Sequence, residues 1–428
     1  MGQKLASLSY RLWAYVSGLR KVTVLKFTLI GLLLVLFISY GLHGRTEWFF
    51  SNALSDAGAS TDPTFCGDEE QTTWWINPNR TNLASWQKIP EEERTFPIAF
   101  TIIAFERPDQ VWRLLKAIYR PQNFYCIHMD KKQTPRIKDW LRTRIKTCLP
   151  DSSNVHFLSA IDVQHSYMSV LEADLLCMRL LWQLTAEKTT PTKATSTSQR
   201  PPWRYLINLT GQEFPLKNNL ELTRILRVLN GANIVQQLKF DFYRYPILHR
   251  PPHGLKLYKG SVHVVLSWAF VDFIFTDSRV HDFLNFLPYV GVPDEAFFST
   301  LNHNAHLRAP GGFPYGDEAY RRGEGFVNRW KKFWPAECHG EWRHLVCIPA
   351  LEDLQPLFRL QSPELFINKF VMHINSHVLD VTEGWFYDRQ DWLYRHQNFT
   401  LTPLDFFANQ PHVKYQKNRT VNTAEGLM

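Results

Sequence analysis

Residues 96–105 read FPIAFTIIAF, residues 108–119 read PDQVWRLLKAIY, and residues 124–130 read FYCIHMD. The first and third are short apolar runs of the kind that form buried strands, and the segment between them spaces its apolar residues like a helix. Strand, helix, strand is a βαβ opening. The alternation continues with a basic amphipathic helix near Pro135–Thr147, a strand VHFL at 155–158, a long helix near Tyr167–Glu187, a strand YLINL at 205–209 and a helix near Asn219–Leu229. Strands alternating with helices predict an α/β domain with a mostly parallel sheet flanked by helices.

Less regular segments interrupt this pattern. TTPTKATSTSQRPP, residues 189–202, reads as an exposed insert. Residues 232–257 are rich in Tyr, Phe, Arg and His without a clean period, which suits a substrate loop. VHVVLSWAFVDFIF at 262–275 supplies one more apolar run and helix, and residues 305–334 are Gly- and aromatic-rich and irregular. HLVCI at 344–348 reads as a strand, ELFINKF follows at 364–370, and the tail 371–428 shows no readable pattern.

Ahead of the domain, residues 1–21 carry Lys4, Arg11, Arg20 and Lys21 with no acid, followed by the apolar run Phe27–Leu42. Counted from Val22, this predicts a cytosolic tail (1–21), a transmembrane signal anchor (22–43), a lumenal stem (44–95) and a lumenal catalytic domain (96–428). All six cysteines, Cys66, Cys126, Cys148, Cys177, Cys338 and Cys347, fall after the span, and an even number in an oxidising compartment suggests three disulfides. Cys338 and Cys347 could close a local loop; the other four could pair in three ways. No Cys-x-x-Cys pair points to zinc. The sequons at Asn79, Asn398 and Asn418 agree with a lumenal domain, whereas the one at Asn208 lies in an apparent buried strand. The net charge of +8 could suit nucleic acid, but the predicted compartment excludes it.

In open α/β sheets ligands bind beyond the carboxyl ends of strands. Here those ends are Ile103-Ala104-Phe105, Asp130-Lys131-Lys132 and Gly211-Gln212-Glu213. No Gly-x-Gly-x-x-Gly follows the first strand and no P-loop pattern occurs, so dinucleotide and P-loop sites are not expected. No Asp-x-Asp occurs either, so no divalent metal or other cofactor is expected. A nucleotide-sugar diphosphate would then need fixed cations, with Arg343 and Lys369 as candidates. Gly291-Val292-Pro293-Asp294-Glu295 places two carboxylates at a helix start, where acids complement the helix dipole.

Taken together, residues 96–132, 205–226, 257–271, VPDEAFFSTL at 292–301, and CHGEWRHLVCIPALEDL with LFINKF at 338–370 resemble, in order, the core 2-type β-1,6-N-acetylglucosaminyltransferases of glycosyltransferase family 14. The resemblance implies a GT-A type, Rossmann-like fold in a type II Golgi membrane protein. It also implies metal-independent, inverting transfer from a UDP-sugar to the 6-hydroxyl of an O-glycan or glycoprotein acceptor. Residue by residue it implies Glu295 as catalytic base, Arg343 and Lys369 as diphosphate cations, and Asp130 at the uridine/ribose site. Ile103, Ala104, Phe105, Lys131, Lys132 and His165 are implied to line the donor pocket, and Gln236, Arg244, Trp330 and Glu295 the acceptor side. The implied disulfides are Cys126–Cys177, Cys66–Cys148 and Cys338–Cys347. Phe105 stands where well-known members have His, and His165 replaces an aromatic residue. The donor pocket is therefore not a copy: GlcNAc is the default sugar, with glucose or xylose as alternatives and an inactive, membrane-tethered sugar-binding pseudo-enzyme as the rival.

Overall fold

The computed structural model describes residues 89–149, 151–189, 203–246, 248–315, 327–359 and 362–425. The expected tail, membrane span and nearly all of the stem lie outside them, as do Asn79 and Cys66. No helix among the described residues is long and apolar enough to cross a membrane.

Seven-residue β1 (Ile98–Ala104) is the centre of the main sheet. It pairs in parallel with β2 (Phe124–Met129) on one side and β4 (Tyr205–Thr210) on the other; β3 (Val155–Leu158) extends the β2 side in parallel, and β6 (Val265–Ser267) closes the β4 edge antiparallel. The order β3-β2-β1-β4-β6 makes the sheet mostly parallel, as expected. Side chains alternate across β1. Ile98, Phe100, Ile102 and Ala104 enter one apolar core with α1 (Pro108–Ile118), α2 (Pro135–Cys148) and α4 (Asn219–Leu229). Ala99 enters a second with α3 (Met168–Thr189), α5 (Trp268–Thr276), α6 (Ser278–Phe286) and α7 (Asp294–His303). Burial on both faces explains why the strands read as unbroken apolar runs.

The helix ends follow local chemistry. Pro135 opens α2, and the Thr134 hydroxyl accepts from the Ile137 amide. Asn218 caps α4 reciprocally with Glu221, satisfying amides at that helix start. Cys126–Cys177 ties β2 to α3, and Cys338–Cys347 joins the hairpin of β8 (Glu341–Arg343) and β9 (Val346–Ile348). Cys148 is also disulfide-bonded. The strand read at 344–348 is shorter than expected, because His344 and Leu345 take left-handed turn conformations, φ 48° and 63°.

A second sheet carries the site. β5 (Glu213–Pro215) and β7 (Arg329–Trp330) flank β10 (Phe366–Asn368), with Asn368 opposite Glu213 and Ile367 opposite Trp330. Helices α8 (Leu351–Arg359) and α9 (Met372–Arg395) cover it, and α10 (Leu404–Ala408) and α11 (Pro411–Glu425) follow. The tail without a sequence pattern is thus largely helical. Asn398 and Asn418 are exposed. Asn208 is buried: its amide donates to Asp174 (2.7 Å) and the Val262 carbonyl (2.8 Å), and its oxygen accepts from the Val264 amide (2.7 Å).

One buried ion pair braces the second sheet and, through Asn208, ties it to the first. Arg329 Nε donates to Glu213 Oε2 at 2.8 Å, Asn368 donates to Glu213 Oε1 at 2.9 Å, and Arg329 Nη2 also donates to the Asn208 carbonyl. Both charged side chains are fully buried. Removing one partner of such a pair strands the other, at about 3–5 kcal/mol. Arg329→Met is therefore expected to lower unfolding stability by about that amount, with the double variant Glu213→Gln/Arg329→Met recovering part of the loss. Urea titration followed by Trp fluorescence measures both; an Arg329→Met midpoint equal to wild type would remove the pair's bracing role.

Candidate active site

The strand order reverses between β1 and β4, and the crevice beyond their carboxyl ends is where a ligand fits an open α/β sheet. The chain binds that crevice together tightly: the Ile103 carbonyl accepts from Gly211 (2.9 Å), the Ala104 carbonyl from Asp130 (2.8 Å), and the Gln212 carbonyl from Phe370 (2.7 Å). The backbone carbonyls of Ile103 and Ala104 are thus taken up by neighbouring strand ends, while the Phe105 side chain is exposed.

Asp130 differs from a ligand-facing acid. It is buried, and its Oδ1 accepts from the Lys132 amide (2.8 Å) while Oδ2 accepts from the Val163 amide (3.1 Å) and Lys132 Nζ (3.1 Å). Lys132 Nζ also donates to the Val163 carbonyl (2.6 Å) and to Asp162. The pair staples loop 130–132 to loop 161–163, and the Lys132 ammonium lies 5.9 Å from the Phe105 ring centroid. Lys131 projects into solvent next to it. The same 161–163 loop leads to His165, whose ring is 6.0 Å from that of His344. Burial lowers the His165 pKa, helped by the positive neighbours His344, Lys369 and Lys331 and opposed by Glu295.

Those neighbours define the cleft. Lys369 follows β10 and has its pKa lowered by burial and then by Arg343, with Glu106 opposing. Arg343 ends β8, partly exposed, with only a 3.9 Å approach to Glu341. Lys331 was not a residue the sequence singled out. It follows Trp330 at the end of β7, one step beyond the Trp330–Ile367 pair and so across from Asn368. Burial lowers its pKa, Lys369 lowers it further, and Glu213 and Glu295 raise it. Among the described residues neither Lys331 nor Lys369 makes a hydrogen bond or ion pair; Lys331 Nζ lies over the Phe333 ring at 4.9 Å. Its only sequence trace is a Lys in an irregular, Trp-flanked stretch.

Across from these cations stands the start of α7. Pro293 is already helical (φ −64°, ψ −29°), and Val292 before it takes φ 55°, a rare conformation for a β-branched residue. This turn aims Glu295, 34% exposed, into the cleft. Glu295 Oε2 accepts from Arg244 Nη1 at 2.5 Å, whereas Oε1 makes no hydrogen bond with any described residue. Arg244 is in turn 3.2 Å from Asp241, which pairs with Lys259 at 2.8 Å. Gly260 donates to the Glu295 carbonyl (2.8 Å), and any Cβ there would collide with Ser299 Oγ and the Gln236 carbonyl. Gln236 thus serves the wall through its backbone, accepting from Ser299 Oγ at 2.6 Å. Trp330 is buried in the third apolar cluster with Lys332 over its ring at 5.6 Å, so it supports the cleft from beneath.

With this geometry in place, residues 98–357 match the family model described as Core-2/I-Branching enzyme. The chain belongs to that family. This branching-enzyme chain is 32% identical over 318 residues to an N-acetyllactosaminide beta-1,6-N-acetylglucosaminyl-transferase of Mus musculus, covering 68% of this chain and 73% of the relative. It is 30% identical over 333 residues to a beta-1,3-galactosyl-O-glycosyl-glycoprotein beta-1,6-N-acetylglucosaminyltransferase of Danio rerio, covering 71% and 72%. A human N-acetyllactosaminide beta-1,6-N-acetylglucosaminyl-transferase is 30% identical over 321 residues, covering 69% and 73%. As a branching enzyme, the protein is a glycosyltransferase.

Asp294 behaves unlike a simple helix-start acid. It is buried, its Oδ1 has no partner, and burial followed by the Glu295 charge pushes its pKa from 3.8 up to about 6. The folded pKa lies above the unfolded one, so the stability gained from the protonated form is full below about pH 4 and is lost as pH rises through about 6. The loss is on the order of 2–3 kcal/mol. Asp294→Asn is expected to remove this slope and to be more stable than wild type at pH 7, relative to their difference at pH 4; parallel pH–stability curves for the two proteins would refute the assignment.

Proposed function

We propose that this branching enzyme transfers a sugar, GlcNAc by preference, from a UDP-sugar to the 6-hydroxyl of a galactosyl or GalNAc acceptor on O-glycans, with inversion and without a metal. The observation that carries the reading is the partly exposed carboxylate of Glu295, with one oxygen held by Arg244 and the other unbonded, close enough to Lys331 and His165 to act on the pKa of each. A β-1,6 linkage is in the names of the relatives. Metal independence rests on the absence of an Asp-x-Asp pair from the sequence. The basic tail and apolar run at 22–43 support a type II Golgi membrane location with this domain in the lumen.

The step is a single in-line displacement. The acceptor O6–H gives its proton to Glu295 Oε1 as O6 forms a bond to the anomeric carbon. The bond from that carbon to the UDP oxygen breaks, and its electron pair leaves with the diphosphate. Arg343 and Lys369 neutralise the charge that grows there. Arg244 fixes the carboxylate so that proton transfer needs no side-chain search, and such general-base assistance contributes about 10²–10⁴-fold.

Glu295→Gln keeps the shape and an acceptor for Arg244 but cannot take the proton. Transfer is expected to fall by about 10²–10⁴-fold while UDP affinity, read by calorimetry in EDTA, stays at the wild-type value. Equal loss of both would make Glu295 structural, and wild-type activity abolished by EDTA would overturn the metal-free mechanism.

A further inference from the structure

Within the segment 232–257, read from sequence as a substrate loop, Phe242, Tyr243 and Leu248 expose large apolar side chains to a degree the other described residues avoid. Leu248 is 91% exposed, Phe242 88% and Tyr243 70%, and Tyr289 faces the same region at 54%. Contiguous apolar surface of this kind marks an interaction site. Tyr245, Pro246, Leu248, His249 and Tyr289 line an open groove of about 500 Å³, within the ordinary range of small-ligand sites, about 300–1,000 Å³. His249 stacks on Tyr289 with ring centroids 3.8 Å apart and planes 18° from parallel, which makes a two-ring platform with polar tips.

The loop that lines this groove also holds Glu295. Arg244, which holds Glu295, ends the short 3-10 turn that begins at Phe242. Its carbonyl accepts from Gly291 at 3.1 Å, and a Cβ at Gly291 would touch Arg244 at 3.3 Å. Tyr289 therefore lies two residues before the point where the loop is bonded to the segment that starts α7. A sugar whose hydroxyl reaches Glu295 Oε1 has the rest of its chain to place, and this groove begins one residue after Arg244, which holds that carboxylate.

We propose that the groove lined by Tyr245, Pro246, Leu248, His249 and Tyr289 binds the sugars of the acceptor glycan that lie beyond the one receiving the transfer, so that the enzyme prefers extended oligosaccharides to a disaccharide. The proposal rests on the acceptor reading of Glu295. The lining chemistry favours a saccharide: flat rings meet the apolar faces of pyranoses while hydroxyl and imidazole tips meet their hydroxyls. The groove contains neither the charged side chains that would recognise an acidic peptide nor a strand edge on which a peptide could add.

The test uses the purified full-length protein and neutral oligosaccharides of two, four and six sugars sharing one terminal disaccharide, and the same disaccharide on a peptide. Tyr289→Ala and Leu248→Ser alter exposed side chains, so folding should survive. The expected result is a KM raised about 3–10-fold for the tetra- and hexasaccharides, with kcat, the disaccharide KM and UDP affinity unchanged. Saturation-transfer NMR of the hexasaccharide, which needs no turnover, should lose the signals of the sugars beyond the terminal disaccharide in both variants. Unchanged binding and KM for the long acceptors, an equal rise for the disaccharide, or a rise confined to the peptide-linked acceptor would each overturn the proposal. Failure of the transferase reading itself would show separately, as no turnover of any acceptor by wild type with groove binding retained.

Discussion

The fully buried contact between Glu213 and Arg329 is the constraint on which the rest of the site depends. Glu213 begins β5 just beyond β4, Arg329 lies on β7, and Asn368 of β10 donates to the same carboxylate. The strands they sit on are only two or three residues long, too short to hold their own register. A buried charge that must be paired supplies the register instead, since a slip of one residue would leave both ions unpaired in a dry environment. Because Lys331 and Lys369 follow directly on β7 and β10, fixing those strands fixes the cations.

The opposite wall uses a different device. Arg244 is tied to Glu295 by an ion pair, to Asp241 by proximity and to Gly291 through its carbonyl, so a loop with little regular structure is held at three points. Gly260 allows the loop at 236–260 to approach α7 so closely that no side chain would fit there. The wall is thus anchored near the base and left open farther out, where the exposed aromatic residues lie. Rigid support for chemistry and free surface for recognition occur within one loop.

How far this was legible in the sequence depended on where each element's burial lies. The βαβ alternation could be read because β1, β2 and β4 are apolar on both faces. Helix α9 could not, because its buried face includes Thr382, Glu383 and Gln390, and Glu383 and Gln390 bind Arg113 (2.5 Å) and Arg120 (3.0 Å). Polar residues on the buried face interrupt the apolar stripe that Val378, Leu379, Phe386 and Leu393 would otherwise make. The second sheet escaped notice because its strands are short and joined across more than a hundred residues. Glu295, Arg343 and Lys369 were found through a family resemblance, and Lys331 had neither a motif nor a period to mark it. Asp130 was found but its burial was not, since a strand-end Asp gives no hint whether its carboxylate faces a ligand or its own loop.

The charge arrangement across the cleft favours a reaction over mere binding. Glu295 has its own cation, yet Lys331 and Lys369 have no carboxylate partner among the described residues. Burial first, and then a like charge, Lys369 at Lys331 and Arg343 at Lys369, lowers the pKa of both lysines, so cations gathered without partners raise the energy of the site. In the proposed reaction a sugar nucleotide relieves that repulsion when it binds. Its diphosphate gains further negative charge as the glycosidic bond breaks, and fixed cations attract that state more strongly than the ground state. The arrangement therefore suits the proposed departure of an anion, with Glu295 as the proposed base for the proton that the incoming hydroxyl must lose.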